Sequence, residues 1–186
     1  MTTKNLTISA IVVIVLLGAG FWIYQSSISK PSTDTINKNG VVDPKNATYT
    51  IGTREVSLIN GKEEQEVVPG SASKTITQYF GNEVKGDFNG DGTVDVAFLL
   101  TQNQGGSGTF YYLAVALQTK NGTQGTNAML LGDRISPQTT EFKDGKILVN
   151  YADRKPGEPM TATPSVGVSK YFIITADTLQ ELVVLP

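Results

Sequence analysis

From Ala47 onward the chain consists of short β-branched and aromatic runs separated by turn dipeptides, with no long stretch of apolar residues at helical spacing. This texture restricts the fold to an all-β class, a mainly antiparallel sandwich or barrel-like domain of eight or nine strands. "TYTI" and "REVSLIN" lead to Asn60-Gly61, a dipeptide suited to two-residue hairpin turns, so "KEEQEVV" is the expected returning strand. "KTITQYF" follows. "TVDVAFLLTQ" and "TFYYLAVALQT" are the most apolar runs of the domain and are expected to pair centrally across the Gly-rich "NQGGSG". Asp144-Gly145 marks a second hairpin, and "SVGVSKYFIIT" and "LQELVVL" complete the strands. The Pro-containing stretch 152–165, "ADRKPGEPMTATPS", reads as a surface loop because its prolines exclude a central strand.

Ahead of this domain lies a different kind of sequence. Leu6 to Tyr24 is about nineteen residues without a charge, close to the roughly twenty that a helix needs to cross a bilayer. Residues 1–24 are therefore expected to be a cytoplasmic stub and a transmembrane signal-anchor, with Lys4 holding the N-terminus inside by the positive-inside rule. Phe21, Trp22 and Tyr24 suit the membrane interface. Secretion after cleavage near Gly20 is the alternative fate. Residues 25–46, rich in Ser, Thr, Asn and Pro, read as a flexible linker, leaving 47–186 as an extracytoplasmic β-domain. The alternative for the end of the linker is a strand around Val41 and Val42 docking onto the domain.

Composition narrows the chemistry. The chain has no Cys and no His, which removes disulfides, thiolate catalysis and every Ser-His-Asp or Cys-His mechanism. Fifteen Lys and Arg against seventeen Asp and Glu leave no basic footprint for nucleic acid. No enzyme activity is expected.

One stretch carries site chemistry: "KGDFNGDGTVDVAFLL", residues 85–100. Counting from Asp87, oxygen side chains fall at positions one, three, five and nine, as Asp87, Asn89, Asp91 and Asp95. Gly92 stands at position six, where a calcium loop bends sharply, and Thr93 at position seven, where a backbone carbonyl ligates. Val94 is expected to point into the core. Position twelve is Phe98, where a helical EF-hand needs a bidentate Glu, so the loop is expected to join strands. Hard oxygen donors without His or Cys select Ca²⁺ over a transition metal. Glu83 and Asp133 are further candidate ligands. The alternative is a tight turn in which Asn-Gly and Asp-Gly supply positive φ and Asp side chains cap backbone amides.

"DFNGDGTVD" resembles the calcium-binding loop of FG-GAP and VCBS-type repeats, the integrin α-propeller family, over about nine residues. That resemblance implies Asp87, Asn89, Asp91, Thr93 and Asp95 as ligands; a single copy does not build a propeller. "GDFNGDGTVDVAFLLTQNQGGSGTFYYLAVAL", "LLGDR" and "DGKILVNYADRKPGEPM" together resemble a family of uncharacterised, exported or lipid-anchored bacterial proteins. This second resemblance implies export but no particular activity.

The remaining motifs are weaker. "SASK", Ser71 to Lys74, has the S-x-x-K spacing but precedes a strand, not the helix that spacing requires. Phe110 and Tyr112 alternate with Tyr111 on opposite sheet faces, which describes packing. The reading is a membrane-anchored extracytoplasmic β-domain that holds a structural calcium ion and serves as a binding or envelope-associated module for a protein or glycan ligand. The alternatives are a carboxylate hydrolase, with glycan as a candidate substrate, using Asp133, Glu141 or Asp153, and a periplasmic inhibitor presenting its Pro-rich loop. If Leu6 to Tyr24 is an uncleaved anchor, the full chain is expected to stay in the membrane pellet after alkaline carbonate extraction. Recovery in the supernatant with a new N-terminus near residue 21 would establish cleavage instead.

Overall fold

The computed structural model describes residues 41–183, so the expected anchor, Leu6 to Tyr24, lies outside the described residues. Among the described residues no helix is long and apolar enough to cross a membrane. The expected all-β class holds, but the described residues form twelve strands where eight or nine were expected. They are β1 (Thr48–Ile51), β2 (Arg54–Ser57), β3 (Lys62–Glu66), β4 (Lys74–Gly86), β5 (Asp95–Asn103) and β6 (Phe110–Thr119). β7 (Gly122–Gly125), β8 (Asn127–Asp133), β9 (Ser136–Lys143), β10 (Lys146–Asp153), β11 (Val166–Thr175) and β12 (Thr178–Leu182) follow.

Two sheets result. The larger has the order β2-β1-β8-β6-β5-β4-β3, with β7 also paired to β6, and it curls into a nearly closed barrel. The smaller, β12-β11-β10-β9, packs on the barrel's outer face. As expected, β5 and β6 pair centrally, from Val96 opposite Ala116 to Gln102 opposite Phe110. Alternation sends Val96, Phe98 and Leu100 into the barrel with Tyr49, Val56 and Ala114. Ala97, Leu99, Leu113, Val115 and Leu117 face the other way, against Ile147, Val149 and Phe172 of the smaller sheet. Both faces of these two strands are covered, which explains their unbroken apolar composition. Each fully buried Leu contributes on the order of 1.5–3 kcal/mol.

The turns divide into those the sequence marks and one it does not. Asp144 and Gly145 both have positive φ, 52° and 71°, and close the β9–β10 hairpin as expected. Asn60 and Gly61 also have positive φ, 53° and 82°, and Ile59 bridges Lys62 across them. This hairpin stops after one bridge. The expected ladder between "REVSLIN" and "KEEQEVV" does not form, because β2 pairs with β1 and β3 pairs with β4. β2 and β3 are thus the two edges of the barrel, and Arg54 spans them with paired hydrogen bonds to Glu63 at 3.0 and 2.9 Å and a further contact to Gln65.

Residues 41–46, expected as the end of the linker, belong to the folded unit. Val42 packs against the barrel core without forming a strand, and the Asp43 amide donates to Thr123 Oγ1 at 2.8 Å. The Tyr49 hydroxyl donates to the Pro44 carbonyl at 2.8 Å. At Gly125 the backbone of Thr48 comes so close that an added Cβ would lie 2.3 Å from its carbonyl oxygen, so only glycine fits.

The β11–β12 hairpin turns at Ala176-Asp177, with φ of 48° and 58°, although neither residue is glycine or asparagine. An alanine in the left-handed region pays a steric penalty of about 1 kcal/mol or more. The double change Ala176→Asn with Asp177→Gly is therefore expected to raise the urea midpoint by an amount equivalent to about 1 kcal/mol, with an unchanged denaturant slope.

Candidate metal centre

The Asp-rich stretch joins β4 to β5, the setting expected from Phe98, which lies inside β5 and is fully buried against Tyr49 and Tyr79. Its backbone is organised by its own side chains. Asp87 Oδ1 accepts the amides of Gly90 at 2.8 Å and Asp91 at 3.1 Å, and Oδ2 accepts that of Gly92 at 2.9 Å. Gly90 and Gly92 have φ of 79° and 85°, conformations that other residues adopt only with strain. Asn89 Oδ1 accepts the Asp91 amide at 3.2 Å. Asp91 Oδ1 accepts from Thr93, the amide at 2.7 Å and the hydroxyl at 2.6 Å. The same hydroxyl is 3.1 Å from the Gln118 carbonyl, and its single proton can serve only one acceptor at a time.

Asp95 differs from the others. It is completely buried, and its two oxygens accept the amides of Phe88 at 3.0 Å and Gln118 at 2.9 Å. It therefore ties the start of the loop to β6. Phe88 in turn packs edge-on against Phe142 of the smaller sheet, ring centres 4.8 Å apart. Val94, expected in the core, is 57 % exposed instead: alternation from the buried Asp95 turns its neighbour outward.

The electrostatics follow from this placement. Burial pushes the Asp95 carboxyl above the ordinary Asp value, the two amide bonds oppose that, and the nearby charges of Asp91 and Asp87 raise it further. Hydrogen bonds from Thr93 hold Asp91 below the ordinary value. None of the ion pairs among the described residues involves the loop.

The donor set suits a hard cation, because carboxylate, carboxamide and carbonyl oxygens are its only donors. An ionised carboxylate offers about four acceptor sites, so capacity remains on Asp87, Asp91 and Asp95 beyond their hydrogen bonds. Yet among the described residues no three acidic side chains converge as a metal cage. Asp95 has both of its oxygens bonded to backbone amides, those of Phe88 and Gln118. A cation here would be held by Asp87, Asn89, Asp91 and the Thr93 carbonyl, with water completing its shell and Asp95 acting on the loop as much as on the ion.

The two further candidate ligands, Glu83 and Asp133, differ in where they lie. Glu83 is exposed, lies on β4 between the Val84–Ala97 and Gly81–Leu99 pairs, and its carboxylate accepts the Tyr79 hydroxyl at 2.6 Å. Asp133 pairs with Phe110, opposite the Gln102 end of β5, about 20 Å along the strand from Asp95. Asp133 is too far along the sheet to reach the loop, and the carboxylate of Glu83 is engaged by Tyr79. Spacing along the chain carried no information about which strand end each would reach.

Asp133 instead takes part in a clamp. It accepts the Thr109 amide at 2.9 Å and pairs with Arg134, which holds its carboxyl below the ordinary range. Arg154 donates to the carbonyls of Ala162 at 2.7 Å, Arg134 at 3.0 Å and Asp133 at 3.4 Å, pinning the Pro-rich loop to the Gly132-Asp133-Arg134 turn. "GGSGT", "LGDR" and "ADRKPGEPM" thus meet at one end of the fold, with many of their polar groups bonded to one another. Glu141 sits away from this cluster on β9, opposite Leu148, and accepts the Thr139 hydroxyl at 2.9 Å. Lys74 of "SASK" pairs with Glu64 at 3.0 Å.

Comparisons of the chain with protein-family models, with curated proteins and with solved structures find no match.

Asp95→Asn preserves size but replaces one acceptor oxygen with a donor, so one of the amides of Phe88 and Gln118 loses its partner in the interior. The variant is expected to be less stable by about 1–3 kcal/mol in urea unfolding. An unchanged midpoint would remove Asp95 from the role of tie between loop and core.

Proposed function

We propose that the chain is a membrane-anchored extracytoplasmic β-domain whose loop 87–95 binds one structural Ca²⁺, and that the domain serves as a binding or envelope-associated module. The observation that carries the calcium reading is the loop itself. Oxygens at alternate positions are presented by a backbone already bent at Gly90 and Gly92, and the charges of Asp87 and Asp91 bear on the buried Asp95. A divalent cation among these groups would relieve that like-charge repulsion. The ion's part is to stabilise: the loop connects the central strand β5 to β4 and, through Asp95 and Thr93, to β6.

Anchoring is supported by the uncharged run Leu6 to Tyr24 and the polar residues that follow it. Its sidedness follows from Lys4. The loop's likeness to FG-GAP-type calcium loops supports the same ion.

Calcium is expected to raise the melting temperature of the full chain by about 5–10 °C at a concentration about a hundred times its dissociation constant. Asp91→Ala should abolish the increase. The sign of the pH dependence is fixed by Asp95 and Asp91. Asp95, with its value raised in the folded state, contributes stability below the ordinary Asp value and loses it as pH rises through the raised one. Asp91, with its value lowered, contributes above the ordinary value and loses that as pH falls. Protons and calcium compete for these carboxylates, so the calcium-dependent increase should be larger at pH 7 than at pH 4. A melting curve unchanged by millimolar calcium at pH 7 would reject the metal reading.

A further inference from the structure

The barrel has two unlike ends. The chain joins it at the end where Asp43 bonds Thr123, and Thr123 lies opposite Gln118, beside the Asp-rich loop. The other end is marked by the β1–β2 turn after Ile51 and by Gln102 on β5, about 20 Å farther along the sheet. There the barrel opens into a cavity of about 530 Å³, lined by Ile51, Arg54, Gln102, Gln104, Tyr112 and Leu130 among others. That volume lies within the range of small-ligand pockets.

The chemistry of its wall is specific. Gln102 is only 4 % exposed; its Nε2 donates to the fully buried Thr77 Oγ1 at 3.1 Å, and its Oε1 accepts Gln104 Nε2 at 3.0 Å. This chain of side-chain bonds fixes two carboxamides at the opening, and each carboxamide offers both donors and an acceptor. The one charged group in the wall, Arg54, is compensated by Glu63 at 2.9 Å. Leu130, 51 % exposed, and Ile51 supply apolar surface beside these polar groups.

We propose that this opening is a binding site for a neutral sugar residue, presented on the side of the domain away from the point where the chain joins it. An anion would have to draw Arg54 from Glu63, and an acyl chain would have to displace the Gln102–Thr77 hydrogen bond to enter the barrel. A sugar matches both halves of the wall, because its hydroxyls donate and accept and its C–H face is apolar. The proposal goes beyond calcium binding and does not depend on it, since the Asp-rich loop lies at the opposite end.

Ligand-observed NMR and calorimetry on the full chain, with maltotriose, cellotriose and triacetylchitotriose as neutral probes, test it; 3′-sialyllactose and decanoate are the charged and apolar controls. At least one neutral trisaccharide should bind saturably, with a dissociation constant in about the micromolar-to-millimolar range. Leu130→Arg, a change at an exposed position that places a long charged side chain across the opening, should weaken it about tenfold or more. Asp91→Ala should leave sugar binding intact, so failure of the calcium site and failure of the sugar site are separable. Absence of binding by all three neutral sugars, binding of decanoate alone, or equal affinity in Leu130→Arg would overturn the proposal.

Discussion

The pairing of β5 with β6 is the constraint on which the rest of the structure depends. Their alternating residues are apolar on both sides, so neither face can be left in water. One face is covered by curling the larger sheet around it, which brings Tyr49, Val56 and Tyr79 over Phe98 and Leu100. The other is covered by the smaller sheet, which brings Ile147, Val149 and Phe172 over Leu99 and Leu113. Barrel and sandwich are thus two consequences of a single apolar hairpin.

Curling a sheet leaves edges to be managed, and polar side chains perform that task here. Arg54 links β2 to β3 across the barrel's seam through Glu63 and Gln65. Asn127 does the same between the sheets: its Nδ2 donates to the Leu179 carbonyl at 2.9 Å and its Oδ1 accepts the Leu179 amide at 2.8 Å. The carboxamide bonds the backbone of β12 as a neighbouring strand would, which blunts an exposed edge. Thr126, between β7 and β8, accepts the Val115 amide through its hydroxyl at 3.2 Å, and its carbonyl accepts the Thr50 amide at 3.1 Å.

The Asp-rich loop is coupled to the same core. Asp95 opens β5, and its carboxylate reaches back to Phe88 and across to Gln118, so the loop's conformation and the β5–β6 register are one cooperative unit. An ion in the loop would bear on the central hairpin, which is the physical sense in which a calcium ion at this place is structural. The clamp of Asp133, Arg134 and Arg154 holds the opposite end, where Arg154 is fastened by a carbonyl of the Pro-rich loop itself, Ala162, and by those of Asp133 and Arg134 on the neighbouring turn.

The sequence by itself determined the all-β class, the central pairing of the two apolar runs, the turns at Asn60-Gly61 and Asp144-Gly145, and the oxygen spacing from Asp87 to Asp95. All of these are written in short windows, where period-two alternation and the positive-φ preference of Asn-Gly or Asp-Gly act locally. Tertiary structure alone decided that β3 joins β4 and not β2, that β1 runs parallel to β8, and that Asp95 turns inward while Val94 turns out. It also separated Asp133 from the Asp-rich loop and brought Gln102, Gln104 and Arg54 together at the barrel's opening. Those outcomes depend on which faces must be buried and on register between strands distant in the chain, so no local pattern of residues could carry them.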